Sequence, residues 1–100
     1  MDSNTREWTR EEEDLLHRVL VERMQQEKRF GSERKQIDTK GSKHYYNLNK
    51  IAVLGEEVGE VIKAYLDHEP NSRVIDELVQ VMAVCLAWAT VFAEEHDESL

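Results

Sequence analysis

A chain of 100 residues is one domain, and a monomer of this size buries only about 60–70% of the surface its unfolded chain exposes, which favours self-association. Hydrophobic residues make up 40% and charged residues 34%, with one Pro and four Gly, a balance that excludes disorder and points to a globular helical protein. The formal net charge is −8, with no block of Lys or Arg to track a phosphate backbone, so polymeric nucleic acid is excluded as a partner; small phosphorylated ligands stay admissible where metal ions bridge the repulsion.

Residues 1–8 are polar and predicted to be flexible. Thr9 is an N-cap candidate, with Glu12 three residues on and acidic Glu11 to Asp14 at the helix's positive end. The first helix then carries Leu15, Leu16, Val19, Leu20 and Met24 as its predicted core stripe, with Trp8 and Phe30 near its two ends and Gly31 as its stop. Residues 32–44 are polar and short of apolar anchors, and Gly41 and Ser42 are a local breaker, so this stretch reads as a long loop. Its Arg34, Lys35, Lys40 and Lys43 are candidate receivers of phosphate groups, or simply a solvated connector.

The second helix is predicted from Tyr46 or Asn47 to about Asp67, with Leu48, Ile51, Leu54 or Gly55, Val58, Ile62 and Tyr65 as its core stripe. Pro70 ends that segment, and Asn71 or Ser72 is expected to cap the next. A third helix follows from about Arg73 to Glu94. Between Leu78 and Ala93 almost every residue is apolar, and a helix apolar all round must be covered all round. The run is read as shorter than the roughly 20 residues a bilayer requires. A homodimer or higher oligomer is therefore predicted, its core including Val81, Met82, Cys85, Leu86, Trp88, Ala89 and Phe92. Lone Cys85 has no disulfide partner within the chain, and the polar, acidic start has no signal-peptide pattern, so a cytoplasmic location is expected.

Glu57 and Glu60 stand at i, i+3 on the second helix, and Glu77 and Gln80 repeat that spacing on the third. Antiparallel helices joined by a short turn would bring the two pairs face to face and give a hard divalent cation such as Mg²⁺ its oxygen ligands. Spacing alone equally allows a solvent-facing stripe balanced by Lys63 and Lys50. Gly59, costly inside a helix by about 1 kcal/mol, hints at a close approach of ligand or backbone.

The run from Leu54 to Val61, with Glu56, Glu57 and Glu60, followed by Asp76-Glu77-Leu78-Val79-Gln80-Val81, resembles the paired motifs of the MazG-like, all-α nucleoside triphosphate pyrophosphohydrolases, E-x-x-E on one helix and E-x-x-D on the next. The resemblance covers roughly residues 46–90. It implies an all-α bundle of three main helices completed by a homodimer or homotetramer. It further implies Mg²⁺, or Mn²⁺, held by Glu57, Glu60 and Glu77, and hydrolysis of a nucleoside triphosphate to monophosphate and pyrophosphate. Glu56 is then a candidate supporting group or water activator, and Lys63 a candidate phosphate contact. Gln80 departs from the pattern, because it offers a carbonyl oxygen where the family has an aspartate's charge. Asp76 lies about 100° around the helix from Glu77 and is not a simple replacement. The departure leaves open a nucleotide-binding or interaction module with impaired or no catalysis. Tyr45 and Tyr46, or Trp8 and Phe30, are candidates for stacking on a base, or for plain packing.

Overall fold

The computed structural model describes residues 6–40 and 43–99, with the side chains of residues 34, 38–40 and 97–99 left aside. Four helices follow one another, α1 (Arg10–Phe30), α2 (Glu33–Lys40), α3 (Lys43–Leu66) and α4 (Asn71–Ser99). Among the described residues there is no strand, so the chain is all-α.

The start of α1 forms as its residues dictate. Thr9 Oγ1 accepts from the Glu12 amide at 3.1 Å, and the Glu12 carboxylate accepts from the Thr9 amide at 3.0 Å, closing both ends of a capping box. Arg6 donates to both Glu12 oxygens at 2.7 Å and holds that carboxyl down at about 2. Gly31, at φ 84, stops the helix in a backbone region that L side chains rarely enter.

The long loop expected at residues 32–44 is instead mostly helical. Ser32 Oγ accepts from the Lys35 amide at 3.2 Å and opens α2, while the Gln36 side chain donates to the Phe30 and Gly31 carbonyls at 3.0 and 3.1 Å. What anchors α2 is polar. Glu33 is buried, accepts from the Tyr46 hydroxyl, and pairs with Lys50 at 3.1 Å. Burial and the Glu33 carboxylate push the Tyr46 phenol up, so it remains a donor. Lys50 is thus spent on α2 and does not balance the glutamates of α3. Gly41 and Ser42, and the side chains of Arg34 and Lys40, lie outside the described residues.

α3 begins at Lys43, earlier than predicted, and ends in a Schellman turn. His68 donates to the Tyr65 carbonyl at 3.2 Å and Glu69 to the Ala64 carbonyl at 3.0 Å, with His68 left-handed at φ 57. α4 starts two residues earlier than expected, on the Pro70 carbonyl, so Asn71 and Ser72 sit inside its first turn and do not cap it.

Packing centres on α4, which lies against both α1 and α3, with α2 touching α3 and α4. The α3–α4 pair is antiparallel: Lys43 meets Glu95 at 3.3 Å, and the Trp88 indole donates to Asn47 at 2.9 Å. Val19, Val79 and Ala83, with Leu15 against them, form the core cluster, and Val84, Ala87 and Val91 extend burial along α4. These side chains are small. Most large apolar ones point out, including Leu16, Leu20 and Met24, which the stripe of α1 was expected to bury.

The same correction applies more strongly to α3. Leu48, Ile51, Val58, Ile62 and Tyr65 are exposed, whereas Tyr46, Lys50 and Ala64 are buried and Leu54, Glu57 and Val61 partly so. The helix is turned by roughly a third of a revolution from the expected orientation, placing Glu57 on the inner face. On α4, Met82, Cys85, Leu86, Ala89 and Phe92 are exposed and Val81 and Trp88 partly buried, so one chain does not cover this helix all round. The segment Asn71–His96 is also long and apolar enough, by length and composition, to cross a membrane; the expected shortfall in length does not hold. A radius of gyration of 15.9 Å, against about 13 Å for a compact chain of this length, matches this open packing.

Two stability outcomes follow from these contacts. Lys50→Met leaves Glu33 buried without its cation and should cost about 3–5 kcal/mol; adding Glu33→Gln should recover part of that loss, read from urea midpoints at fixed protein concentration. His68→Gly relieves a left-handed side-chain-bearing residue and should gain about 1 kcal/mol, a rise of roughly 4–8 °C in Tm.

Candidate functional site

Turning Glu57 inward places it opposite Glu77 across the antiparallel α3–α4 contact. Glu56, Glu57 and Glu60 from α3 and Arg73, Asp76, Glu77 and Gln80 from α4 line one cavity of about 340 Å³. The structure therefore gathers Glu56, Glu57, Glu60, Glu77 and Gln80 around a single space. Glu77 is the most enclosed of the carboxylates there, at 7% exposure, and its Oε1 is ion-paired with Arg73 at 2.8 Å.

Burial, then the neighbouring charges of Glu77, Glu56, Glu60 and Glu22, push the Glu57 carboxyl above the usual carboxylate range. Glu22 was not anticipated. It comes from α1, is buried, and pairs with Arg29 at 3.1 Å. Its sequence signal was a charged residue three positions after Val19, on the face of α1 that turns inward. Asp76 lines the cavity as well, joined to Arg18 of α1. The Gln80 carbonyl oxygen accepts a long contact from Gln26, 3.5 Å.

Lys63 lines a smaller space of about 100 Å³ beside the first, with Glu60, Arg73 and Glu77. Lys43 and Tyr45 stand elsewhere. Fourteen residues of helix separate Lys43 from Glu57, roughly 21 Å, and Lys43 is paired with Glu95. Tyr46, at 2% exposure and bound to Glu33, is sealed from any base. Gly59 does not mark a close backbone approach, since a Cβ built there meets nothing within 4 Å.

A groove of about 470 Å³ opens from the acidic cavity and shares Glu56, Glu57 and Gln80 with it. Phe30, Gln36 and Asn49 are among its other walls, and Phe30 is exposed beside Arg29, whose guanidinium lies 5.6 Å from the ring centre.

The donor set suits a hard cation, because it offers carboxylate and carbonyl oxygens without thiolate or imidazole. Among the described residues no three acidic, His or Cys side chains converge closely enough to enclose an ion. Mg²⁺ characteristically keeps several waters and is held through few carboxylates, so an open ring of oxygens is compatible with it. The Arg73 guanidinium is the positive charge paired with Glu77.

The sign of the Glu57 shift gives a test of this crowding. A carboxyl raised on folding leaves the native state holding more protons than the unfolded one as pH climbs out of the carboxylate range, so stability falls over that window and stays lower above it. Glu57→Gln should raise Tm at neutral pH in the absence of divalent ions, with little effect at pH values below the ordinary carboxylate range.

The chain matches no family model, no curated protein and no solved structure, so the MazG-like resemblance rests on the motif residues themselves.

Proposed function

We propose that this protein is a Mg²⁺-dependent nucleoside triphosphate pyrophosphohydrolase, cleaving an NTP or dNTP to the monophosphate and pyrophosphate. The observation that carries this reading is the grouping of Glu57 and Glu60 from one helix with Glu77 from its antiparallel neighbour around one cavity. In it, Glu57, Glu60 and Glu77 hold the metal and Gln80 supplies a neutral fourth oxygen. A bound Mg²⁺ offsets phosphate charge and lowers the pKa of an attacking water. Glu56, exposed at the cavity wall, takes the proton that water loses, and Lys63 meets a phosphate oxygen from the adjoining space. Phosphates seated at the carboxylates leave the nucleoside in the connected groove, where Phe30 offers a stacking face and Asn49 and Gln36 offer amides to a base edge.

A homodimer or homotetramer completes the bundle in this reading, supported by the outward apolar residues of α1, α3 and α4. The location is cytoplasmic, with α4 covered by protein instead of lipid; Glu77 and Gln80 on its inner side favour this over a bilayer. Polymeric nucleic acid is not a partner.

Gln80 favours one second reading, a MazG-like nucleotide-binding module with impaired or no turnover, since a neutral ligand holds a second cation less strongly. Incubation with a panel of NTPs and dNTPs in Mg²⁺ or Mn²⁺ decides between them. The expected result is pyrophosphate release, falling on the order of 10²-fold in Glu60→Gln. Nucleotide binding without release, together with a large gain in Gln80→Asp, would instead establish the impaired module.

A further inference from the structure

Five carboxylates and a single basic side chain, Arg73, line the acidic cavity among the described residues. Arg73 lies in the first turns of α4, one helical turn before Glu77. Its side chain is 55% exposed while that of Glu77 is only 10% exposed, so the pair joins a half-exposed cation to an enclosed anion. Arg73 also borders two other spaces. One is the small space beside Lys63, and the other is a cavity of about 530 Å³ walled by His17, Arg18, Val21 and Glu22 of α1 and by Asp76 of α4, which is paired with Arg18. A guanidinium at that junction can leave Glu77 without unfolding anything, since more than half of the Arg73 side-chain surface already meets water.

We infer that Arg73 is the resident counter-cation of the acidic cavity, displaced from Glu77 by an arriving divalent ion and thereby freed to grip substrate phosphate on the side of His17 and Arg18. This rests on the metal-dependent reading above and adds a regulatory step to it. Guanidinium and metal compete for the same Glu77 oxygen, because a carboxylate oxygen already paired with an arginine at 2.8 Å is a poor ligand for a second cation. Competition keeps the five carboxylates partly neutralised while no ion is bound. It then couples ion entry to phosphate capture, since the displaced guanidinium offers planar, forked donors that suit a phosphate group.

The test uses the full chain, Mn²⁺ alone, and then inorganic pyrophosphate with Mn²⁺ present, both by calorimetry. Arg73→Gln should bind Mn²⁺ about fivefold more tightly than the wild type, the equivalent of a partly exposed ion pair of about 1 kcal/mol, and should bind pyrophosphate at least tenfold more weakly. Arg73→Lys keeps the charge on Glu77 but not the fork, so its Mn²⁺ affinity should stay near the wild-type value while pyrophosphate binding weakens. Lys28→Ala, on the exposed last turn of α1, removes the same charge elsewhere and should leave Mn²⁺ affinity unchanged. Thermal melts guard against misfolding: Mn²⁺ should raise the Tm of Arg73→Gln by more than it raises that of the wild type. If the wild type binds Mn²⁺ and Arg73→Gln binds it equally or less well, the displacement is wrong and the metal site stands. Equal tightening in Lys28→Ala would reduce the effect to net charge and overturn the inference as well. Absence of Mn²⁺ binding to the wild type would remove both the metal reading and this inference.

Discussion

Like charge held between two packed helices is the constraint on which this structure turns. Glu57 and Glu77 occupy the α3–α4 contact, where ordinary packing would place leucine or valine. A helix has one inner face at each position along its axis. Giving the inner face of α3 to Tyr46, Lys50, Glu57 and Ala64 sends Leu48, Ile51, Val58 and Ile62 to the outside. The acidic cavity and the exposed apolar stripe are two sides of one rotation, so whatever covers that stripe also fixes the orientation in which the carboxylates meet.

Local rules carried the boundaries of α1, but not the presence of α2 or the starts of α3 and α4. The Thr9 and Glu12 capping box, the Gly31 stop and the antiparallel pairing of the last two long helices all follow from residues whose chemistry acts within a few positions. Orientation was less legible. Apolar periodicity identifies the hydrophobic side of a helix but not what that side meets, and in a chain this small the hydrophobic side of α3 is not covered by the chain itself. α2 escaped for a related reason: its anchor is the buried Glu33, tied to Tyr46 and Lys50, and a search for apolar repeats does not register an ionic pin.

The site was legible where it lies on consecutive turns and hidden where it depends on tertiary approach. Glu57 with Glu60 and Glu77 with Gln80 were visible as two spaced pairs, and the structure groups all four around one cavity. Glu22 was not, because its role comes from α1 packing on α4, far away in sequence. Arg73 sits four residues before Glu77 and would have emerged from a search for opposite charges one turn apart. Lys63 is near the cavity, whereas Lys43 belongs to the far end of α3 and to Glu95.

Charge balance also gives Gln80 a physical context. An aspartate there would stand beside Gln26 and close to a carboxylate group that already contains Glu57, Glu77 and, from the first helix, Glu22. Each added negative charge there pushes its neighbours further toward protonation, on top of the burial that is the main cause of the raised Glu57 carboxyl. Glutamine keeps an oxygen at the position while omitting the charge, and α1 brings a charge from the other side through Glu22. The electrostatics of the cavity therefore depend on three helices, not on the two that carry the motif, and the Gln80 departure has to be weighed together with the acid that α1 contributes.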